Sequence, residues 1–297
     1  MKTYSTSPGR EKVRTISCNL CGSRRYRKYL TAEDYFFVKC AGCGLVYQNP
    51  QPVFDDLKYR YGQGYFDYEL RNEENFFHLM ELGLQDIRFF ELTEGLEQQG
   101  LFLDIGCATG MLLAFLRDRG WGVRGVELCR ESAEYGINRK GLDIFIGTLE
   151  EAAFPSAHFP VIHFSHLIEH VPDPRDFLSE VRRILRPEGY AIVVTPNIGG
   201  LQAGVFRERW RSAIADHLTL FSRRTLRRLL VESGFEILKT VTWGGLAKGT
   251  VPAVVKRPVD YLAKKMGFGD VVLVLARKVS RADVVRYIRR KPAKPGR

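Results

Sequence analysis

The chain has 297 residues, of which 45% are apolar and 27% charged, and its formal net charge is +11. This composition is ordinary for a globular protein and allows a full α/β core. No apolar run is long enough to span a bilayer, and the N-terminus lacks the apolar segment of a secretory signal, so a cytoplasmic location is expected. The net charge is +6 over residues 1–60, +8 over residues 277–297 and −3 between them. Nucleic acid is therefore an unlikely partner, because enzymes that act on it more often surround the active site with positive charge.

Two cysteine pairs lie near the N-terminus, and each is followed by a glycine. The four thiols belong to Cys18, Cys21, Cys40 and Cys43, and the residues between the pairs have the pattern of a β-hairpin. Paired C-x-x-C motifs at this spacing predict a zinc-ribbon-like module over residues 1–50, with tetrahedral Zn²⁺ as a structural ion because four thiolates leave no open position. A redox pair and a metal-free module are the alternatives.

Residues 51–84 are predicted to form a linker followed by a lid or packed connector and a helical segment. Prolines at positions 50 and 52 stiffen the linker, and residues 59–68 are rich in tyrosine and glycine. Apolar residues recur with helical spacing over residues 76–96, which predicts a helix before the first strand of the next domain.

A strand, a glycine-rich loop and a helix are predicted at residues 101–117. Asp104 ends the apolar run, and Gly106 and Gly110 follow in a D-x-G-x-x-x-G pattern. This arrangement places a nucleotide-like ligand at the carboxyl end of a parallel strand. A dinucleotide site reads G-x-G-x-x-G instead, and Asp104 would repel its pyrophosphate, so an amine-bearing or cationic ligand is expected.

Further strands and helices alternate downstream of this motif. Strands are predicted at residues 121–127, 142–146, 161–165 and 190–195, with helices at 132–140 and 175–185. The alternation predicts an α/β fold with a doubly wound, Rossmann-like parallel sheet. Pro160 precedes the fourth strand and is tolerated at a first strand position.

These motifs, in this order, resemble the class I S-adenosylmethionine-dependent methyltransferases. The resemblance covers residues 85–277, and the methyltransferase domain is predicted over residues 85–280. It implies a seven-stranded sheet, with Glu127 accepting hydrogen bonds from the two ribose hydroxyls. It also implies that the third strand ends at the adenine. The residues that the resemblance assigns to the cofactor are Asp104, Gly106, Cys107, Ala108, Gly110, Glu127, Leu128, Thr148, Leu149 and Ser165. Cys129 is expected to pack or to contact the cofactor.

Candidates for the chemistry follow the fourth strand, because ligands in this fold bind beyond the carboxyl ends of the strands. His166 is the best-placed base for a hydroxyl acceptor, and His217 is the second choice. Glu169 and His170 lie one helical turn after His166. A catalytic and a structural role are equally weighted for Glu169, whereas a structural role is favoured for His170. His217 is equally open to a role as a strut beneath a loop.

The last third of the chain holds two more predicted strands, at residues 236–242 and 271–276. An amphipathic segment at 254–266 is expected to cover the core, with a membrane surface or a second subunit as alternatives. The arginines of residues 223–228 are interpreted as a solvated helix face rather than a phosphate site. The basic tail, residues 281–297, is expected to be disordered.

The function expected from these features is S-adenosylmethionine-dependent methyl transfer, with S-adenosylhomocysteine as product. The segments HLIEHVPDP and DHLTLFS resemble those of bacterial enzymes that modify sugars, quinone precursors or natural products. O-methylation of a small molecule or of a glycan, lipid or natural-product precursor is favoured over C-methylation, because sugar C-methyltransferases of this type carry an extra C-terminal domain that is not expected here. An RNA methyltransferase that recognises its substrate through the zinc ribbon is one alternative. A non-catalytic zinc-ribbon binding protein is the other.

Overall fold

The chain was analysed as a computed structural model that describes residues 12–32, 34–53, 60–96, 100–245 and 253–280. Within these ranges two small sheets and one large sheet occur. None of the described helices is both long and apolar enough to cross a membrane. The basic tail that was expected to be disordered lies outside the described residues.

The N-terminal module contains two small antiparallel sheets. Strand β1 (Val13–Arg14) pairs with β5 (Gln51–Pro52), while β2 (Tyr26–Ala32), β3 (Tyr35–Cys40) and β4 (Val46–Gln48) form a meander. A fourth strand, β11 (Thr219–Leu220), joins the edge of this meander from far along the chain. The predicted hairpin between the cysteine pairs is β2–β3, so this part of the expectation is confirmed.

Two helices connect the module to the large sheet. Helix α1 (Gln63–Asp86) is followed by the short helix α2 (Phe89–Leu92). The helix predicted over residues 76–96 is thus wrong in its bounds: α1 begins thirteen residues earlier, within the tyrosine- and glycine-rich segment, and the helix breaks at Arg88, which adopts a left-handed conformation with φ 56°. The tyrosines of that segment were not counted in the apolar helical pattern, because each has a polar hydroxyl at its tip. The start of the helix was therefore missed.

The large sheet has seven strands in the order β12-β13-β10-β9-β6-β7-β8. Their bounds are β6 (Leu101–Ile105), β7 (Gly122–Glu127), β8 (Ile144–Ile146), β9 (Phe159–Ser165), β10 (Leu185–Pro196), β12 (Phe235–Trp243) and β13 (Val271–Lys278). Neighbouring strands from β8 to β10 run parallel, whereas β13 is antiparallel to both of its neighbours. The seven-stranded α/β sheet is therefore confirmed, as a mixed rather than a fully parallel sheet.

The remaining helices cover both faces of the sheet. They are α3 (Met111–Arg117), α4 (Arg130–Lys140), α5 (Pro174–Ile184), α6 (Leu201–Phe206), α7 (Arg223–Glu232) and α8 (Ala253–Met266). One core cluster packs apolar residues of α5 and α7 with those of the cysteine module, and the other packs α3 with the end of α1. The strand order reverses between β6 and β9, and this is the point where α/β sheets bind ligands beyond the strand ends.

Candidate functional site

The loop between β6 and α3 has the backbone that the D-x-G-x-x-x-G pattern predicts. Gly106, Ala108 and Gly110 all have positive φ angles, 71°, 50° and 78°. A Cβ atom on Gly110 would lie 2.3 Å from Leu142 Cδ1, so only glycine fits there. The loop therefore turns sharply at the end of β6 and brings its backbone close to the end of the neighbouring strand, β7.

Glu127 ends β7 and is buried, with one carboxylate oxygen bonded to this loop and the other to the backbone that follows β7. Oε2 accepts a hydrogen bond from the backbone N–H of Ala108 at 2.8 Å, and Oε1 accepts one from Cys129 N–H at 2.7 Å. Burial raises the pKa of Glu127, and these backbone hydrogen bonds oppose the rise. Because each carboxylate oxygen can accept about two hydrogen bonds, one acceptor position per oxygen is left for two hydroxyl groups.

Asp104 is buried at the end of β6, where its Oδ1 lies 2.7 Å from Nδ1 of His163. His163 is on the neighbouring strand, β9, in direct register with Asp104. The sequence interpretation missed His163, although its position on an otherwise apolar strand was a visible signal. The pair gives Asp104 a partner within the sheet and leaves its second oxygen as the one that can meet an amine-bearing ligand.

The other predicted cofactor residues surround the same edge of the sheet. Cys107 and Leu149 are buried, whereas Leu128, Thr148 and Ser165 are half-buried. Thr148 begins a turn in which its backbone N–H donates to Glu151 Oε2 at 2.7 Å. Ser165 is the last residue of β9 and pairs with Val194 of β10. All ten positions thus follow or end the parallel strands, which is the edge that the sequence predicted.

Helix α1 covers this edge, and the sequence interpretation did not find its polar residues. Glu73 Oε1 accepts hydrogen bonds from Thr109 Oγ1 in the loop and from Lys140 Nζ at the end of α4. One turn earlier, Glu69 has a carboxylate oxygen that is buried without a hydrogen bond. Burial, with Glu127 nearby, raises the pKa of Glu69 to about 8. Helix α1 therefore adds acidic groups to a site that already holds Glu127.

The acceptor candidates lie beyond the end of β9. His166 has a positive φ of 53°, and its Nδ1 is 3.3 Å from Oε1 of Glu169. Glu169 is completely buried, and its Oε2 accepts a hydrogen bond from Thr195 Oγ1 at 2.8 Å. Burial alone would raise the pKa of Glu169, but His166, His170 and His217 lower this pKa to about 2. The His166 side chain is 36% exposed, so it is open to an incoming ligand while Glu169 orients it.

His170 and His217 contact each other at the same end of the sheet. Their ring centroids are 4.7 Å apart, and the rings are nearly perpendicular. His217 is buried, with Nδ1 2.8 Å from the backbone oxygen of Ser212, and His170 Nδ1 is 2.9 Å from the backbone oxygen of Asp216. Burial, together with the neighbouring His170, lowers the pKa of His217 to about 4. The structure thus brings together all the histidines that the sequence singled out.

The four cysteines of the N-terminal module form one cluster. Their sulfur atoms all lie within 4.8 Å of one another, with Cys18 and Cys43 3.5 Å apart and Cys21 and Cys40 3.5 Å apart. None of them is in a disulfide. Burial alone would raise the pKa of the Cys40 thiol, but hydrogen bonds from the backbone of Cys43 and Gly42 lower it to about 6. This donor set suits a tetrahedral zinc ion.

The cysteine module also holds the loop that carries His217. Gln48, at the end of β4, is completely buried and donates from Nε2 to the backbone oxygens of Ala215 at 2.6 Å and His217 at 3.0 Å. The backbone N–H of Gln48 donates to Leu218 at 2.9 Å. Leu218 and Thr219 donate in turn to the backbone oxygen of Glu169. The module is thereby connected directly to the acceptor side of the site.

Comparison with known proteins agrees with this geometry. A family model described as a methyltransferase domain matches residues 76–240, which is more than half of the chain. The chain therefore belongs to the methyltransferase domain family, and its fold is that of S-adenosylmethionine-dependent methyltransferases.

Curated relatives match parts of the chain. The ubiquinone biosynthesis O-methyltransferase of Paraburkholderia phymatum is 32% identical over 103 residues, which are 32% of this chain and 44% of that protein. A Mycolicibacterium smegmatis protein that bears the name of an S-adenosylmethionine-dependent methyltransferase is 30% identical over 140 residues, 47% of this chain and 53% of that protein. The chain thus spans about half the length of these relatives.

Two solved structures share the fold. One is a methyltransferase in complex with the Trm112 methyltransferase activator from Haloferax volcanii, with a TM-score of 0.57 and 17% identity, covering 73% of this chain and 96% of that one. The other is an S-adenosylmethionine-dependent methyltransferase from Archaeoglobus fulgidus, with a TM-score of 0.52 and 20% identity, covering 71% of this chain and 99% of that one. At these identities the likeness concerns the fold alone.

Proposed function

We propose that the protein transfers a methyl group from S-adenosylmethionine to a hydroxyl oxygen of a small molecule, or of a glycan, lipid or natural-product precursor. The observation that carries the proposal is the presence of two polar sites at one edge of the sheet. Glu127 and the glycine loop form the first, and the cluster around Glu169 forms the second. The cofactor supplies an electrophilic methyl group, and the chain has to bind, orient and enclose the two reactants.

Glu127 is assigned to the ribose of the cofactor. Its two oxygens are held by backbone N–H groups of Ala108 and Cys129, which set the orientation of the carboxylate. Asp104, held by His163, is assigned to the amine-bearing end. The resemblance assigns Thr148 and Leu149 to the adenine. The burial of Glu127 and Asp104 supports binding, because hydrogen bonds to a ligand are stronger where water is excluded.

His166 is assigned as the base that takes the proton of the acceptor hydroxyl. A hydroxyl group has a pKa far above 7, so its transfer reaction gains from a positioned base. Glu169 lies 3.3 Å from Nδ1 of His166 and stabilises the protonated ring, and Thr195 holds Glu169 in turn. The names of the relatives from Paraburkholderia phymatum and other bacteria, which are O-methyltransferases, support an oxygen acceptor.

The cysteine module is assigned a structural zinc ion. Four thiolates fill a tetrahedral shell, so the ion has no position left for a substrate. Its contribution to function is indirect, through Gln48 and the loop of His217.

The change Glu127→Ala tests the cofactor assignment. Hydrogen bonds to a charged carboxylate contribute about 1.5–3 kcal/mol each, so losing those to the ribose should weaken S-adenosylmethionine binding by tens-fold or more. Isothermal titration calorimetry with S-adenosylmethionine measures this directly, before any acceptor is identified. Glu134→Ala, which removes an exposed glutamate from α4, is the matched control.

An unchanged dissociation constant for Glu127→Ala would contradict the assignment. Glu127→Gln separates binding from folding, because glutamine keeps the size of the side chain and one acceptor oxygen. It should retain a thermal unfolding transition close to that of the unchanged protein while its affinity falls. Methyl transfer itself is then measured as S-adenosylhomocysteine release with a panel of phenols, sugars and hydroxylated lipid precursors.

A further inference from the structure

A second group of metal-ligand side chains lies apart from the cysteine module. Glu169, His170 and His217 each have one possible ligand atom, and these three atoms lie within 4.8 Å of one another. Glu169 and His217 are buried, and His170 is partly exposed. The residues come from the turn after β9 and from the loop before β11, so the fold brings them together across 47 residues or more of sequence.

The hydrogen bonds of the two histidines determine which ring nitrogen is free. His170 Nδ1 contacts the backbone oxygen of Asp216 at 2.9 Å, and His217 Nδ1 contacts that of Ser212 at 2.8 Å. A carbonyl oxygen only accepts, so each Nδ1 carries the hydrogen and each Nε2 carries a lone pair. An N–H donated to a backbone carbonyl is also the usual arrangement of a metal-binding histidine, because it fixes the tautomer and the orientation of the ring.

Glu169 supplies the third ligand. Its Oε2 accepts from Thr195 Oγ1 at 2.8 Å, whereas Oε1 is buried without a well-formed hydrogen bond and has only His166 Nδ1 at 3.3 Å. A ligand carboxylate held by a neighbouring hydroxyl has the outer support that metal sites show. One carboxylate and two neutral imidazoles together carry a charge of −1, which a divalent cation converts to +1.

We propose that Glu169, His170 and His217 bind a divalent transition-metal cation of the zinc type, and that this cation binds the hydroxyl-bearing acceptor through oxygen. Two imidazoles and one carboxylate are a ligand set of catalytic zinc sites, in which a fourth position stays open for water or substrate. Imidazole-rich sites favour transition metals, whereas Mg²⁺ and Ca²⁺ favour oxygen ligands. The statement about the acceptor rests on the proposed function; the metal site itself does not.

The inference separates the roles of the histidines. A cation on His217 and Glu169 would occupy the lone pairs that a general base needs, so His166 is the base and His217 is a ligand. When bound, the cation would polarise an acceptor hydroxyl, and the partly exposed imidazole of His166 would take the proton of that hydroxyl.

Metal content tests the site without any acceptor. The purified protein is incubated with Zn²⁺, freed of excess metal and analysed for zinc, alongside His217→Ala and Glu169→Gln. The unchanged protein should hold about one equivalent more than either variant. His78→Ala, which removes an exposed histidine on α1, should match the unchanged protein. Equal zinc content in the unchanged protein, His217→Ala and Glu169→Gln would overturn the inference.

Co²⁺ distinguishes this site from the cysteine site. Cobalt bound by thiolates has a charge-transfer band in the near ultraviolet, and cobalt bound by imidazole and carboxylate does not. His217→Ala should therefore lose one equivalent of bound Co²⁺ with the thiolate band intact. Loss of both the thiolate band and the equivalent of bound Co²⁺ would mean that the variant disrupts the cysteine module. That result would contradict a metal site separate from the module. Glu169→Gln keeps the size of the side chain, and it should weaken the affinity for Co²⁺ at least ten-fold.

Titration with S-adenosylhomocysteine separates this inference from the proposed function. Cofactor binding by the unchanged protein without a second metal equivalent would contradict the metal site and leave the proposed function intact. A second metal equivalent without cofactor binding would support the metal site and contradict the proposed function. His217→Ala should bind S-adenosylhomocysteine within a few-fold of the unchanged protein, because the cofactor residues lie on the neighbouring strand ends.

Discussion

At the scale of single residues, the site is defined by carboxylates whose charge is controlled by their neighbours. Glu169 is buried among three histidines, and these hold its pKa at about 2 in spite of its burial. Glu69 is in the opposite situation, because burial comes together with the nearby carboxylates of Glu127 and Glu73 and raises its pKa to about 8. Two glutamates at one edge of the sheet are thus held in opposite states: Glu169 is ionised on the proposed acceptor side, and Glu69 is protonated on the proposed cofactor side.

Glu69 predicts a specific dependence of stability on pH. Its pKa is about 8 in the folded protein and 4.5 ordinarily, so the folded state binds the proton more tightly than the unfolded state. The stabilising contribution is complete below about pH 4.5 and is lost as the pH rises through about 8. Glu69→Gln should therefore be more stable than the unchanged protein at pH 9, by about 1–3 kcal/mol.

Denaturant unfolding at pH 5 and pH 9 measures this difference. The advantage of Glu69→Gln should shrink at pH 5, because the unchanged protein then carries a neutral Glu69 as well. Glu74→Gln, exposed on the same helix, serves as the control and should show no such change with pH. An equal effect of Glu69→Gln at both pH values would mean that its carboxyl group is not protonated in the folded protein.

His166 and His217 are expected to respond differently to replacement. Loss of a general base typically lowers a rate by about 10²- to 10⁴-fold, so His166→Ala should lose activity by that factor while its affinity for S-adenosylmethionine stays within a few-fold. His217→Ala should also lose activity, but together with bound metal. Single-turnover rates and calorimetry on the two variants give the comparison. Full activity of His166→Ala would exclude His166 as the base.

At the scale of elements, two segments from outside the central sheet complete the site. Helix α1 lies over the cofactor edge and is attached through Glu73 to Thr109 and Lys140. Strand β11 leaves the loop of His217 and pairs with β4 of the cysteine module, Thr219 opposite Tyr47 and Leu220 opposite Val46. Under the proposed function, the first segment would enclose the cofactor and the second would position the acceptor side.

Gln48→Ala tests the connection between β4 and the loop of His217. The change removes two hydrogen bonds from a completely buried amide, so we expect a loss of stability of about 1–3 kcal/mol. The rate of methyl transfer should fall as well, because the loop that carries His217 loses its support. The affinity for S-adenosylmethionine should change little, since Glu127 lies on a different strand end.

A lower rate of methyl transfer with unchanged cofactor affinity distinguishes the loss of support for this loop from a general loss of structure. Urea unfolding, calorimetry and turnover are measured on the same preparation of Gln48→Ala. Gln85→Ala, exposed near the end of α1, controls for the loss of a glutamine side chain. A parallel fall in cofactor affinity would show that β4 supports the whole sheet rather than the loop alone.

At the scale of the whole molecule, the cysteine module and the methyltransferase domain share one core. Leu20 and Tyr47 of the module belong to the same buried cluster as Phe177 and Leu229 of the large domain. Arg175, at the start of α5, also donates a hydrogen bond to the backbone oxygen of Asn19 at 2.8 Å. The module therefore packs as a part of the domain beside it.

Loss of the zinc ion proposed for the cysteine site is predicted to lower turnover through the loop of His217. Cys21→Ser should abolish the thiolate band of the cobalt-loaded protein, lower the thermal unfolding temperature and reduce turnover. Cofactor affinity should be kept within a few-fold, because α3 and α4 pack in the other core cluster. Cys129→Ser, outside the module, should keep the thiolate band. Turnover unchanged in Cys21→Ser would separate the module from catalysis.

Short-range patterns in the sequence determined much of this protein. The seven strands of the large sheet, the loop of Gly106 and Gly110 and the two cysteine pairs all follow from local periodicity and turn chemistry, which act over a few residues. The positions of Glu127 and His166 were predictable for the same reason, since each ends or follows a strand and the ends of parallel strands meet at one edge.

The tertiary structure alone decided which distant groups became partners. Asp104 meets His163 across 59 residues, and Gln48 reaches the loop of His217 across 169. The placement of α1, with Glu69 near Glu127, likewise depends on packing against the completed sheet. A side chain on a polar helix face carries no local signal for what it will contact, because that is determined by the strand order and by the shared core, which form only when the whole chain folds.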